Sequence, residues 1–458
     1  MKLSFRSLFL LIIATFVLNS CDNEQLDFTI ETPTETVLDI NTKVILDWNQ
    51  LWCKLDRYAT GMRPNASTRA LAYIHLAAYE VCVADMVGYT SNKDRYAELD
   101  IDITQREANI NVGIALNACY ATVIDHFMYN VPANVDSEIA ILRQEKEAEL
   151  SQNVNVDVIL NSKDWGNYVA QQIIAYSQTD TEAETQILSP QPTSYEPPTG
   201  IGFWTYSDNA ERALFPYWSY VRTFVISSAE TSTVASPLTY SEDTTSAFYT
   251  AMNEVYTASE TARTTENEDL WIAEFWSNDV EGLMMSPPGR QISIANQLIK
   301  QYNVDHESAL VLLLKLGFSL NDAAVSTWAD KYQYMVMRPS VYIQEFIDPT
   351  FQTNLYPYIY WPNPSFPSYP SGHSTFASAA AGIFIHHFGN NIDFIDRTHE
   401  GRTEFRGNPR GYSTFTEMAA ENGFSRIPLG VHLRMDCTEG LRLGYEISDA
   451  VNNFDLSL

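Results

Sequence analysis

Between Trp328 and Asp436 the chain gathers side chains that together suit one tetrahedral anion, in three blocks. The first is Lys331-Tyr-Gln-Tyr-Met-Val-Met-Arg338-Pro339. Seven residues on a helix are two turns, about 10 Å of rise on one face, and two long cationic side chains can converge from there on one anion. Arg contributes a planar fork of donors and Lys a point charge, and Pro339 is expected to stop the helix. The second block is Pro370-Ser371-Gly372-His373, leading into the Ala- and Phe-rich run Ser374–Phe388. Ser371 and Gly372 then stand at a helix start, where free N–H groups and the helix dipole attract anions and Gly allows close approach. His373 is in reach of whatever that start holds. The third block is Ser425-Arg426 with His432 and Asp436. Ile427–Val431 reads as a turn before a further helix, and a carboxylate at i+4 can hold one imidazole nitrogen and leave the other as nucleophile or ligand. Three cations, backbone donors and two histidines suit phosphate and vanadate alike.

The elements that must position these residues read as helical. Asn65 and Ser67 are candidate caps for a helix whose Ala70, Ile74, Ala77 and Val81 form one stripe. Ile292, Ala295 and Ile299 repeat that spacing, as do Leu443, Ile447, Val451 and Phe454. Strand-like alternation is scarce. Gly- and Pro-rich stretches at Ser189–Phe203, Ser286–Gly289, Tyr356–Pro370 and Gly389–Tyr412 read as loops. After the N-terminal apolar run no segment reads as long and apolar enough to cross a membrane, Val311–Leu320 being interrupted by Lys315.

The ordered set K-x6-R-P, P-S-G-H and S-R-x5-H-x3-D resembles the superfamily that joins acid and lipid phosphatases to vanadium-dependent haloperoxidases. Trp328 and Phe366-Pro367-Ser368-Tyr369 resemble the haloperoxidase branch. The segments Ser67–Tyr79, Phe275-Trp276-Ser277-Asn278-Asp279 and Pro287-Pro288-Gly289 are similar to its bacterial, iodoperoxidase-like members. The resemblance implies an all-α fold of two four-helix bundles and a vanadate cofactor. It implies that His432 bonds the metal, that Lys331, Arg338, Ser371, Gly372, His373 and Arg426 hold the vanadate, and that His373 is the acid–base. Lys331 then polarises hydrogen peroxide, Trp328 and Phe366 wall the halide pocket, Asp279 pairs with Arg426, and Asp436 orients His432. Phe366 stands where algal bromoperoxidases carry a second histidine, as in chloroperoxidases and bacterial iodoperoxidases, and together with the bacterial resemblance it implies iodide, then bromide, as the halide oxidised to hypohalous acid. The same residues allow a soluble phosphomonoesterase working through a phosphohistidine at His432. A non-catalytic, glycan-binding surface lipoprotein is the third reading, but it does not explain the clustered cations and histidines.

Composition narrows the partners. The 458 residues carry 28 Lys+Arg against 57 Asp+Glu, a formal net charge of −29, and 45% are hydrophobic. So apolar a chain can bury enough surface to fold, and so acidic a one lacks the basic face that nucleic acids or anionic membranes require. Residues 1–20, with Lys2, Arg6 and the short apolar run Leu8–Leu18, read as a lipoprotein signal peptide ending at Cys21, where a lipid anchor is expected. Residues 21–42 read as a tether and residues 43–458 as one exported catalytic domain, periplasmic or on the outer membrane or cell surface. Its only membrane contact would be the lipid on Cys21. Cys53, Cys82, Cys119 and Cys437 allow three disulfide pairings, or none.

Overall fold

The computed structural model describes residues 38–206, 211–227, 234–355 and 363–457. Cys21, the signal peptide and most of the tether lie outside the described residues.

The chain opens with α1 (Ile40–Tyr58), α2 (Asn65–Cys82), α3 (Val112–Phe127), α4 (Ala133–Leu150), α5 (Val156–Gln178) and the short α6 (Thr181–Leu188). In this first bundle α3 packs against α1, α2, α4 and α5. Asn65 and Ser67 lie inside α2 and do not cap it; Pro64 precedes the helix with no side-chain cap, and Ser67 Oγ donates to Asp56 Oδ1 at 2.8 Å. All eighteen residues of α2 are buried, well beyond the expected stripe, because α3 covers one side and α10 another.

After α7 (Ala247–Thr265) and α8 (Glu268–Phe275) comes α9 (Pro287–Gln301). The expected loop at Ser286–Gly289 is instead this helix's start: Ser286 Oγ accepts from Gly289 N at 3.1 Å, and Pro287 fills the first position, where no N–H is needed. The second bundle comprises α10 (His306–Tyr334), α12 (Gly372–Phe388), α13 (Phe415–Phe424) and α14 (Arg434–Asn452), with α11 (Pro339–Phe346) after α10. By length and composition α10 could cross a membrane, contrary to expectation, but 83% of its apolar window is buried inside the protein. It is the core helix shared by the two bundles, packed on α2, α12 and α14.

Helices α12 and α14 make the tightest junction near the site. A Cβ at Gly444 would collide with Thr375 O and Ser378 Oγ, so glycine lets the backbones close and draws the start of α12 onto α14. The stripe Leu443, Ile447 and Val451 faces the core as expected, while Phe454 packs on it from beyond the helix end. The expected loop Gly389–Tyr412 contains a hairpin strand, β1 (Asn391–Asp396), antiparallel to β2 (Arg410–Thr414). Its inward positions are Ile392, Phe394 and Asp396. A carboxylate sits inward because Arg290 meets it at 2.8 Å, both groups fully buried, and that pairing hides the alternation from a hydropathy reading. All four described cysteines are free and buried.

Candidate active site

The first block departs from expectation. Helix α10 ends at Tyr334, Met335 turns left-handed (φ 52°), and Arg338 stands as N-cap of α11 with Pro339 at its first position. Lys331 and Arg338 therefore approach from two elements, and Pro339 begins a helix where it was expected to stop one. Both side chains are fully buried. Lys331 Nζ donates to the carbonyls of Pro367 at 3.0 Å, Ser368 at 2.9 Å and Pro370. All three ammonium donors thus hold the loop that leads to Ser371, and Lys331 reaches an anion only by exchanging one of them. Arg338 Nε donates to Phe366 O at 3.0 Å and Nη1 to Val431 O at 3.1 Å, while Nη2 is buried without a partner.

The second block folds as its sequence predicts. Ser371 is the N-cap of α12, its N–H donating to Asp436 O at 2.9 Å, and Gly372 and His373 are the first two helical residues. Their N–H groups have no partner within the helix. His373 Nε2 lies 2.8 Å from Ser277 O, so it carries the proton and leaves Nδ1 as the basic nitrogen. Burial, with Arg426 adding to it, pushes the His373 pKa down to about 3. The imidazole is neutral at neutral pH, and a nearby oxyanion favours its protonation.

In the third block Arg426 follows the end of α13. Its Nη2 meets Asp279 Oδ2 at 3.0 Å, as expected, and its Nη1 donates to Ser277 O at 3.2 Å; Nε is buried without a partner. His432 lies two residues before α14. Its Nδ1 is 3.1 Å from Asp436 Oδ2 and 3.3 Å from Ser368 Oγ, which assigns the proton to Nδ1. Nε2 then offers its lone pair, 3.3 Å from Arg338 Nη1. Burial first, then Arg338, Lys331 and Arg426, hold His432 well below the usual histidine range, so Nε2 stays unprotonated and accepts from Arg338 Nη1. Asp436 Oδ2 also accepts from Ser368 Oγ at 2.6 Å and Leu433 N at 3.1 Å. Burial pushes this carboxyl up, against the pull of those bonds and of Lys331 and Arg338.

A cavity of about 300 Å³ brings Asp279, Trp328, Phe366, Gly372, His373, Arg426 and His432 together. Lys331, Arg338, Ser371 and Asp436 stand behind that wall. Trp328 and Phe366 meet with ring centroids 4.8 Å apart, and Lys331 and Arg338 lie over the Phe366 face at 5.1 and 4.9 Å. Lys331, Arg338 and Arg426 converge on Asp279 and Asp436, Arg63 and Glu281 also line the cavity, and Arg338 Nη2 and Arg426 Nε keep donors to spare, so the donor set fits an oxyanion with a ligand nitrogen beside it. Sequence reasoning missed Ser368, which ties Asp436 and His432 to the loop, and the Ser277 carbonyl, which ties His373 to Arg426. A serine between Pro367 and Tyr369 has no periodicity, and a carbonyl has no sequence signature at all.

The fold and this site define a helical-bundle protein that gathers buried cations and a histidine at the end of its second bundle. Residues 311–457 match the family model of the VCPO second helical-bundle domain. Among solved structures the chain is similar to the first bacterial vanadium-dependent iodoperoxidase, with a TM-score of 0.79 and 24% identity over 93% of this chain and 99% of that one. It is also similar to a bacterial vanadium-dependent chloroperoxidase in apo and holo forms, at 16% identity over 86% of this chain and 94% and 92% of those, with TM-scores of 0.66 and 0.65. A comparison with curated proteins finds no match. The chain has the fold of the vanadium-dependent haloperoxidases that its motifs resemble.

Proposed function

We propose that the protein is a vanadium-dependent haloperoxidase that uses hydrogen peroxide to oxidise halide, iodide before bromide, to hypohalous acid. The observation that carries this is the meeting of Arg338, Arg426, the α12 start and the His432 lone pair at one buried point. Vanadate, when bound, supplies a Lewis acid that activates hydrogen peroxide for attack by halide without changing oxidation state. His432 Nε2 is the protein ligand, its ring held by Asp436 and Ser368. Arg338 Nη2, Arg426 Nε and the Gly372 and His373 N–H groups hold the oxygens, with Ser371 and Lys331 shaping the loop beside them. His373 Nδ1 takes a proton from peroxide while Nε2–H stays on Ser277 O. Trp328 and Phe366 keep water from the reacting atoms.

Iodide preference rests on Phe366 and on the likeness to the iodoperoxidase. Export and a lipid on Cys21 rest on the N-terminal sequence, and labelling cells with a palmitate analogue tests them. For the activity itself, purified protein is loaded with vanadate and assayed with peroxide and chloride, bromide or iodide in turn. Vanadate-dependent oxidation, fastest with iodide, supports the proposal. Phosphomonoester hydrolysis that vanadate inhibits, without halide oxidation, overturns it in favour of a phosphohistidine enzyme.

A further inference from the structure

Six arginines are buried among the described residues, and four of them meet a carboxylate. Arg69 pairs with Glu184, Arg290 with Asp396, Arg410 with Glu421 and Arg426 with Asp279. The other two, Arg338 and Arg63, are met by carbonyl oxygens and, among the described residues, by no carboxylate within ion-pair distance. Burying a cation costs several kcal/mol unless an opposite charge or a full set of acceptors compensates. For Arg338 the oxyanion reading supplies that charge. Nothing yet described does so for Arg63.

Arg63 is 6% exposed and lines the same cavity as His373, Arg426 and His432. Among the described residues its one acceptor is Asn278 O, 2.7 Å from Nη2, and its Nε and Nη1 are buried without partners. Asn278 is held left-handed (φ 48°), a conformation Asn tolerates better than most side chains, and its Nδ2 is tied to Met285 O at 3.1 Å. The segment Ser277–Asp279 thereby fixes three groups in one frame. Ser277 O holds His373 and Arg426, the Asp279 carboxylate holds Arg426, and Asn278 O holds Arg63. Pro64, Pro287 and Phe376 line the same cavity, as does Glu281, whose carboxylate accepts from Gly61 N at 3.4 Å. A guanidinium is weakly hydrated, and beside the cradle that takes the multiply charged oxyanion Arg63 leaves two donors for a second, singly charged anion.

We propose that Arg63 forms a second anion subsite in this cavity, where bromide or iodide is held next to the oxyanion cradle. The identity of the anion rests on the haloperoxidase reading; the subsite itself rests on Arg63.

The test uses full-length, vanadate-loaded protein in two measurements. In bromide-soaked crystals, an anomalous peak is expected beside Arg63, separate from the cradle, and absent in Arg63→Gln. In steady-state kinetics, Arg63→Gln should raise the halide KM about tenfold, the value of one charge-assisted contact, and leave the peroxide KM and vanadate affinity unchanged. Arg63→Lys, which keeps the charge and loses the fork, should fall between. If Arg63→Gln does not fold, the wild-type peak and the Arg63→Lys halide KM decide. No bromide beside Arg63 overturns the proposal. A peak with the halide KM unchanged in the variants marks binding at crystal concentration only, and overturns it too. Bromide held at Arg63 in protein that oxidises no halide upholds the subsite and overturns the function proposed above. Halide oxidation that is indifferent to both substitutions does the reverse.

Discussion

Replacing Lys331 by Met separates two roles that the sequence alone joins. The Lys331 ammonium donates to the carbonyls of Pro367, Ser368 and Pro370 in a fully buried setting. Methionine fills similar space but donates nothing, leaving three carbonyls unsatisfied at about 1–3 kcal/mol each, or about 6 kcal/mol in all. Removing the buried cation returns part of this, since burial and the neighbouring Arg338 already hold Lys331 far below the usual lysine range. With about half returned, the net loss is on the order of 3 kcal/mol, or roughly 3 °C in Tm for a chain of this size. The assay is thermal unfolding of vanadate-free wild type and Lys331→Met side by side. Omitting vanadate matters, because a lysine whose sole task is to touch the anion has no task in the apo protein. Equal or higher stability of the variant, with only vanadate affinity reduced, would refute the loop-holding role.

Two further outcomes follow from buried carboxylates. Asp436→Asn removes the charge that holds the His432 ring and should weaken vanadate binding about 10- to 100-fold, read by equilibrium dialysis or vanadium NMR; unchanged affinity would show that Asp436 does not act through His432. Asp322 accepts from Phe224 N, Val225 N, Ile226 N and Asn321, yet burial pushes its pKa up to about 6 from an ordinary 3.8. The folded protein thus holds this proton more tightly than the unfolded chain. The resulting stability is complete below about pH 4 and lost as pH rises through 6, a change of about 3 kcal/mol. Denaturant unfolding of wild type and Asp322→Asn from pH 4 to 7 should show their difference shifting by that amount, and a pH-independent difference would remove Asp322 as the cause.

The sequence by itself determined the chemistry's cast. Residue type and local spacing sufficed to place Ser371 and Gly372 at a helix start and Asp436 one turn from His432, because a helix start and an i+4 contact are local events set by a few neighbouring dihedrals. The long apolar helices were legible for the same reason, since their periodicity repeats within each segment. Tertiary structure decided what lies across the chain. Lys331 and Arg338 sit on separate helices because Met335 turns left-handed between them, and hydropathy has no signal for that turn. The hairpin at Asn391–Thr414 went unseen because its inward Asp396 is compensated by Arg290, more than a hundred residues away. The carbonyls that engage Lys331, His373 and Arg63 belong to the backbone, which is alike at every position until folding aims it. Which donors are occupied and which remain for a ligand is therefore a property of packing, because each is settled by partners from other segments.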